Sequence, residues 1–183
     1  MAKVEIVEPK IITFEFHQEK EDDDYGSCLW ARFNFDLENY CLQITSDCGD
    51  YTYNWVCTPD TETFLQLMTR CDVDYLLRKL SEESEIDSDA TYLSVKEFII
   101  DSLGKEWSNS LYQSISDVSC LHNESDVYNE LVRVLEDHNI CLDPYQYELF
   151  SCIQKTYPAQ AKRIVNIFDK YIRPEIRKYL KGD

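Results

Sequence analysis

The segment ITSDCGDYTYNWVC, residues 44–57, combines side chains that bind metals or carry redox chemistry. Asp47 and Asp50 stand on either side of Cys48, and Cys57 ends the segment. Zn²⁺ accepts thiolates and carboxylates as ligands, and two neighbouring thiols can form a disulfide. The alternation of aromatic and polar residues after Asp50 is also typical of a β-hairpin. The segment is therefore a metal site, a redox site, or a hairpin whose function lies elsewhere.

The cysteine spacing favours the hairpin. The chain contains eight cysteines, Cys28, Cys41, Cys48, Cys57, Cys71, Cys120, Cys141 and Cys152. No two of them have the CxxC or CxxxC spacing that is typical of structural zinc sites, so we predict no metal and no cofactor. One local arrangement could still hold a metal: Cys28 lying beside Cys48 at one end of a sheet, with Asp47 and Asp50 close by. A chain of this length without an apolar leader is expected to keep its thiols reduced in a cytoplasm.

Acidic clusters carry the case for an enzyme. They are Asp22-Asp23-Asp24, Asp47 with Asp50, and Asp72 with Asp74. Converging carboxylates can bind Mg²⁺ for phosphoryl transfer or for nucleic-acid cleavage. These clusters fall in a predicted loop, a turn and a helix start, however, where carboxylates serve solvation and capping. The histidines are scattered, and neither a glycine-rich phosphate loop nor a GxSxG segment occurs. We therefore expect a protein that is not an enzyme, with a Mg²⁺-dependent phosphoryl-transfer enzyme or nuclease as the alternative.

The charge of the chain favours a basic protein as its partner. There are 35 acidic and 18 basic side chains, which give a net charge of −17. Such a charge repels nucleic acid and anionic membranes. Residues 158–183 nevertheless carry a net charge of +4, and their cations lie between Lys162 and Lys181. We expect this basic helix to dock on the acidic body through its apolar side, Ile164, Val165, Ile167, Phe168 and Tyr171. Direct contact of the helix with nucleic acid is the alternative.

Hydrophobic periodicity predicts four antiparallel strands in the N-terminal third. IITFEFH, CLWARFNFD, YCLQI and YTYNWVC each place apolar residues on one face. The register that best sorts apolar from polar side chains pairs Leu42 with Phe33 on one side and with Trp55 on the other. Leu29 and Trp55 are then core residues, and the last turn is Asp47-Cys48-Gly49-Asp50.

The remainder of the chain is predicted to be helical. Thr58-Pro59 indicates the start of the first helix, and Ser94 with Glu97 indicates a capping box before FIIDSL. Further helices are expected near residues 107–116, 125–138, 143–155 and 158–172, the last of them ending before Pro174.

These patterns predict an α+β protein, with a four-stranded antiparallel β-meander followed by about six α-helices. Residues 1–80 would form the sheet and a pair of helices, and residues 81–90 an acidic linker. Residues 91–183 would form a helical region that ends in the basic C-terminal helix.

The predicted binding site lies on the surface. The sheet face turned away from the core carries Trp30 and Arg32 among polar residues, and a large aromatic there needs cover from helices or from a partner. With the acidic loop, turn and linker, these residues form the predicted partner-binding set. Its members are Asp22, Asp23, Asp24, Trp30, Arg32, Asp47, Asp50, Glu82, Glu83 and Glu85.

The run ITSDCGDYTYNW, followed by ETFLQLM and DYLLRKL, resembles a block in small acidic proteins of phages and mobile elements, over about residues 40–82. Small phage proteins of this kind include inhibitors of host defence, among them anti-CRISPR proteins that occupy the basic channels of Cas effectors. The resemblance implies a non-enzymatic inhibitor in the host cytoplasm, with carboxylates that meet the arginines and lysines of a Cas nuclease or its RNA complex. A structural or housekeeping phage protein with incidental acidity is the other alternative.

Overall fold

The computed structural model describes residues 4, 8–22, 25–56, 62–118, 121, 123–143 and 145–182. A four-stranded antiparallel sheet comes first, with the strands in chain order: β1 (Ile11–His17), β2 (Trp30–Asp36), β3 (Cys41–Ser46) and β4 (Tyr51–Asn54). The helices are α1 (Phe64–Arg70), α2 (Val73–Leu80), α3 (Ser88–Glu97), α4 (Asn109–Val118), α5 (Glu124–Asp137), α6 (Gln146–Ser151), α7 (Ala159–Ile167) and α8 (Arg173–Lys181). A second antiparallel sheet pairs β5 (Glu85–Ile86) with β6 (Lys155–Thr156). The chain is an α+β protein, as predicted.

The chain divides into two compact units. Unit 1 comprises residues 1–82 and 158–183, and unit 2 comprises residues 83–157. The first boundary falls inside the acidic segment 81–90, where β5 and the start of α3 also lie. This division differs from the predicted one, because the C-terminal helix belongs to the same unit as the four-stranded sheet.

The inner face of the sheet packs against the C-terminal helix. The ring of Phe33 lies 6.1 Å from that of Phe168, and the ring of Phe16 lies 5.0 Å from that of Tyr171. The predicted docking side of the helix is confirmed, since Tyr171 is partly buried and the other four predicted residues, Ile164, Val165, Ile167 and Phe168, are buried.

Both hairpins have a register that differs from the predicted one by two residues. Leu42 pairs with Phe35 on β2 and with Tyr53 on β4, not with Phe33 and Trp55. Because side chains alternate along a strand, a shift of two leaves each side chain on its predicted face. Within the four strands the sorting of apolar from polar residues was therefore right, although the pairing was wrong.

The β2–β3 turn explains why the register between β2 and β3 differs from the predicted one. The Asp36 carboxylate accepts hydrogen bonds from the backbone N–H groups of Glu38 and Asn39, at 3.0 and 3.1 Å. Tyr40 adopts a φ of 51°, so it belongs to the turn and not to β3. Asp36 and Cys41 consequently form the last pair before the turn. Local side-chain hydrogen bonds of this kind compete with the ladder and are not visible in hydrophobic periodicity.

Two core predictions had opposite outcomes. Trp55 is buried as predicted, with 8 % of its surface exposed, and its Nε1 donates to the Tyr75 hydroxyl at 3.0 Å. Leu29, also predicted to be core, is 43 % exposed. It precedes β2, and its backbone bonds to the Gln18 N–H and the Asp47 carboxylate, which leaves its side chain at the surface.

Helix starts follow capping residues that periodicity missed. α1 begins after Thr63, whose hydroxyl and backbone N–H form a capping box with Gln66. The predicted start at Thr58-Pro59 lies outside the described residues. The capping box predicted at Ser94 is wrong, because Ser94 lies inside α3 and Asp87 is the N-cap of that helix.

The C-terminal helix does not end before Pro174, contrary to the prediction. α7 continues through a π-helical segment, Phe168–Ile172, into α8. The Arg173 N–H bonds to the Phe168 carbonyl, five residues back. In a regular α-helix a proline ring clashes with the carbonyl four residues earlier, and a π turn changes the position of that carbonyl. The helix therefore tolerates Pro174 and runs on to Lys181.

Unit 2 has an apolar core of its own. α5 contributes Val127, Leu131 and Leu135, all essentially inaccessible to solvent. α3 contributes Val95, and the π-helical segment that continues it, Phe98–Ser102, contributes Ile99. The spacing of the three α5 residues, every four positions, places them on one side of the helix. The opposite side of α5 is left for charged residues.

Candidate partner-binding surface

One end of the four-stranded sheet gathers four of the ten predicted binding residues, Asp22, Trp30, Asp47 and Asp50. β1 and β3 end there and β2 and β4 begin there, so the β1–β2 loop and the β3–β4 turn lie at the same end. We term this region the acidic end surface and define it as Asp22, Tyr25, Leu29, Trp30, Asp47 and Asp50.

Backbone and side-chain hydrogen bonds close the base of the β1–β2 loop. The Gln18 N–H donates to the Leu29 carbonyl at 2.9 Å, and the Gln18 side-chain oxygen accepts from the Gly26 N–H at 2.8 Å. The Asp22 carboxylate accepts from the Glu19 N–H at 3.0 Å. The loop thus positions Asp22 by local bonds. The other two predicted aspartates of the loop, residues 23 and 24, lie outside the described residues.

Asp47 connects the β3–β4 turn to the start of β2. Its carboxylate accepts from the Leu29 N–H at 2.9 Å, the Trp30 N–H at 3.3 Å and the Cys28 thiol at 3.3 Å. Desolvation of the carboxylate acts to raise the pKa of Asp47, but the hydrogen bonds outweigh this effect and lower its pKa below the ordinary value. Asp47 is therefore a fixed negative charge at neutral pH.

The β3–β4 turn holds Asp50 at the surface. The Ser46 hydroxyl donates to the Gly49 carbonyl at 2.6 Å, and the Ser46 N–H donates to the Asp50 carboxylate at 3.3 Å. Gly49 has a φ of 106°, which favours glycine over residues with a side chain. The turn begins with Asp47, so both of its predicted carboxylates have defined positions.

Three large apolar side chains are exposed beside these carboxylates. Tyr25, Leu29 and Trp30 are 48 %, 43 % and 42 % exposed. Trp30 belongs to the predicted partner-binding set, whereas Tyr25 and Leu29 were not included in it. The sequence did contain a signal for the exposure of Tyr25. This aromatic residue lies between an acidic run and a glycine, in a predicted loop that cannot bury it. Leu29 was missed because it continues the alternation of β2.

Arg32 lies exposed on the outer face of the sheet, as predicted, and forms an ion pair there. It pairs across the strands with Glu15, and its Nε and Nη2 lie 2.9 and 2.7 Å from the same carboxylate oxygen. Next to this pair, the Thr13 hydroxyl donates to Asn34 at 2.8 Å. The outer face of the sheet is thus a row of cross-strand polar pairs, and Arg32 already has an acidic partner.

The acidic residues of the predicted linker are exposed but do not belong to this loop and turn. Glu82 ends the first segment of unit 1, whereas Glu83 and Glu85 belong to unit 2, where Glu85 pairs with Thr156. These three residues stay a separate prediction and are not included in the acidic end surface.

Two buried thiols lie next to Asp47. The predicted proximity of Cys28 and Cys48 is confirmed, because their sulfurs and an Asp47 carboxylate oxygen all lie within 4.8 Å of one another. The Cys48 thiol donates to the Ser27 carbonyl at 3.1 Å. Burial, with the hydrogen bonds to Cys48 and Asp47, raises the pKa of the Cys28 thiol. The described cysteines are free thiols: Cys28, Cys41, Cys48, Cys71, Cys141 and Cys152.

A protein-family model described as a phage family, Phage_phiTE_072, matches residues 10–178. The chain belongs to this phage family. The phage part of the resemblance is thereby confirmed. No curated protein and no solved structure matches the chain.

The cations of this phage protein's C-terminal helix contact its own sheet unit. Arg173 donates to the Cys71 carbonyl and forms an ion pair with Asp169, and Arg177 donates to the Thr69 carbonyl at 3.3 Å. These contacts satisfy carbonyls at the C-terminal end of α1, which otherwise lack partners. Within the part of the chain that the structure describes, no helix is long and apolar enough to cross a membrane.

Proposed function

We propose that this phage protein is a non-enzymatic inhibitor that binds the basic nucleic-acid-binding groove of a host defence nuclease, such as a Cas effector. Binding occurs through the acidic end surface. The observation that carries the proposal is the combination, at one end of the sheet, of carboxylates fixed by hydrogen bonds and three exposed apolar side chains. Aromatic residues beside complementary charge are typical of protein interfaces.

The carboxylates suit a groove that normally binds phosphates. Arginine and lysine donate charge-assisted hydrogen bonds to carboxylates as they do to phosphates. Asp47 uses its oxygens for backbone and thiol donors, but an ionised carboxylate has about four acceptor positions, so further donors can bind. Because Asp22, Asp47 and Asp50 are already held by the fold, less side-chain entropy is lost on binding.

The overall charge supports a basic protein over nucleic acid or an anionic membrane as partner. At a net charge of −17 the protein is repelled by polyanions at long range. Two arginines of the basic tail, Arg173 and Arg177, are engaged with the chain's own carbonyls. The same field accelerates encounter with a cationic groove.

The test is DNA cleavage by a purified Cas nuclease of the phage's host, loaded with its guide RNA, with the protein added before or after target DNA. We expect inhibition only when the protein is added first, because DNA and protein compete for one groove. Trp30→Ala should weaken inhibition, whereas Tyr147→Ala, which truncates an 89 % exposed aromatic of unit 2, should not.

Three results would contradict the proposal. The first is the absence of both binding and inhibition. The second is Mg²⁺-dependent cleavage of nucleic acid by the protein alone, which would support the enzyme alternative. The third is a complex in which protein and DNA bind the nuclease together. This result would indicate an allosteric inhibitor or an apolar interface, and the binding surface would then be sought on the helices after residue 90.

A further inference from the structure

Cys28, Asp47 and Cys48 form a cluster whose thiols the proposed function does not use. We propose that these three side chains bind one zinc ion, with Cys28 and Cys48 as thiolate ligands and Asp47 as the carboxylate ligand. The fourth position faces solvent. This inference does not depend on the proposed function.

The ligand atoms are already close to the distances that zinc requires. Zn–S bonds of about 2.3 Å and Zn–O bonds of about 2.0–2.2 Å in a tetrahedron put neighbouring ligand atoms about 3.5–3.8 Å apart. In the structure the Cys28 sulfur lies 3.3 Å from Oδ1 of Asp47, and all three ligand atoms lie within 4.8 Å of one another. Small side-chain rotations are sufficient to bring them to a common ion.

The ligand types select the metal. Thiolates favour zinc over Mg²⁺ and Ca²⁺, which prefer oxygen ligands. Both thiols are buried whereas Asp47 is exposed, so a metal bound here is accessible from one side. A three-residue site with an open position is a known type of zinc coordination.

The surrounding hydrogen bonds orient the ligands. The Leu29 N–H binds Oδ2 of Asp47, whereas Oδ1 is directed to the Cys28 thiol and also accepts from the Trp30 N–H. The Ser46 hydroxyl accepts from the Cys48 N–H at 3.1 Å and so fixes the backbone of the second thiol. Such outer contacts are what hold metal ligands in place.

The charge balance shows why the site is compatible with an acidic surface. Each thiol loses one proton to solvent when it binds Zn²⁺, so the two thiolates cancel the charge of the ion. The cluster carries the single negative charge of Asp47 both before and after binding. No electron is transferred. The ion would link the start of β2 to the β3–β4 turn, and a metal that binds only the folded chain stabilises it.

The experiment uses the full-length chain, reduced and stripped of metal. Zn²⁺ alone is titrated in competition with a chromogenic chelator, and Co²⁺ is titrated as a spectroscopic substitute. We expect one metal per chain, a thiolate-to-cobalt charge-transfer band, the intense visible bands of tetrahedral cobalt and a higher Tm with zinc. Cys28→Ser and Cys48→Ser should each weaken zinc binding by more than about tenfold, since even outer-shell partners matter that much.

Matched variants keep the result interpretable. Cys141→Ser removes an exposed thiol of unit 2 and should leave metal binding unchanged. Asp47→Asn keeps a hydrogen-bond acceptor and both thiols, so it tests the carboxylate ligand even where a serine variant does not fold. It should also weaken zinc binding by more than about tenfold.

Substoichiometric zinc binding would overturn the proposal, as would full zinc binding by the folded Cys28→Ser and Cys48→Ser variants. Binding that is lost in Cys141→Ser would place the metal elsewhere. A Cys28–Cys48 disulfide that forms in place of metal binding would also overturn it.

Discussion

The two units of this phage protein differ in net charge. Unit 1 has 14 basic and 20 acidic side chains and a net charge of −6, whereas unit 2 has 4 basic and 15 acidic side chains and a net charge of −11. The less acidic unit nevertheless contains the acidic end surface. Net charge alone therefore does not locate a binding site. The useful signal is a carboxylate held in place beside exposed apolar side chains.

The cations of the two units differ as well. In unit 1, Arg173 is largely buried, stacks on Phe168 and donates to the Cys71 carbonyl, so it holds the C-terminal helix to α1. In unit 2, Arg133 lies on the exposed side of α5 between Glu130 and Asp137. The first arginine is part of the packing, and the second adds a solvated pair of the kind that contributes little to stability.

The largest expected effect tests whether the C-terminal helix belongs to the sheet unit. Phe168→Ala should lower the free energy of unfolding of unit 1 by about 3–5 kcal/mol, because a fully buried aromatic leaves a cavity against the sheet. Hydrogen exchange should show lost protection in β2 but not in α5. Leu131→Ala, in the core of unit 2, should give the reverse pattern. Equal loss of protection in both units for both variants would contradict the division.

A second pair of substitutions separates core from surface within unit 1. Trp55→Ala should cost about 3–5 kcal/mol in urea unfolding, since the ring packs against Phe64 and its Nε1 bonds to Tyr75. Trp30→Ala should cost clearly less, because 42 % of the surface of Trp30 is exposed. Losses of equal size would mean that the outer end of the sheet is buried, and would remove it as a binding surface.

A smaller effect distinguishes the two arginines. Arg173→Met should lower the free energy of unfolding by about 1.5–3 kcal/mol, the usual range for a hydrogen bond made by a charged group. Arg133→Met should change it much less, because that side chain is exposed. The measurement is urea unfolding of both variants at one ionic strength. A larger loss of stability for Arg133→Met would contradict the assignment of Arg173 to the packing and of Arg133 to the solvated surface.

The smallest effect is a difference in salt dependence between two carboxylates. The pKa of Asp36 is lowered chiefly by the Asn39 side chain, with backbone N–H groups of the same turn, whereas the pKa of Glu130 is lowered chiefly by its hydrogen bond to Arg133. An exposed ion pair is screened by salt, but bonds to neutral donors are not. In NMR titrations, added salt should raise the pKa of Glu130 and leave that of Asp36 low.

A lowered pKa in the folded state also fixes the direction of the pH dependence. The stability that Asp36 contributes is present above its unfolded pKa, ordinarily near 3.8, and is lost as the pH falls through the folded value. An Asp36 pKa that rises with salt as much as that of Glu130 would contradict the assignment to neutral donors.

Much of the fold was predictable because it depends on periodicity. Alternation identified the four strands and their buried faces, and helical spacing identified the buried side of the C-terminal helix. The register was not predictable, because it is set by local bonds such as those of Asp36 with Glu38 and Asn39. The helix through Pro174 was missed for a similar reason, since a π turn leaves no clear pattern in the sequence.

The candidate site was predicted in part. The turn residues Asp47 and Asp50 and the exposed Trp30 followed from register and face. The bonds of Asp47 to the Leu29 and Trp30 amides depend on the β1–β2 loop and the β3–β4 turn meeting at one end of the sheet, which no single segment encodes. The cross-strand pair of Arg32 with Glu15 was not predicted, and the role of Arg32 in binding stays a prediction.

The most direct test of the acidic end surface is the association of the protein with a guide-loaded Cas nuclease of the host, measured by surface plasmon resonance at two salt concentrations. Two triple charge reversals are compared with the natural chain: Asp22, Asp23 and Asp24 to Lys in unit 1, and Asp101, Glu106 and Glu136 to Lys in unit 2. Both change the net charge equally. Our account predicts salt-sensitive binding, with slower association and weaker affinity for the unit 1 variant only, since charges within about 8–10 Å of the interface act on it. Equal weakening by both variants, or binding that ignores salt and both reversals, would contradict it.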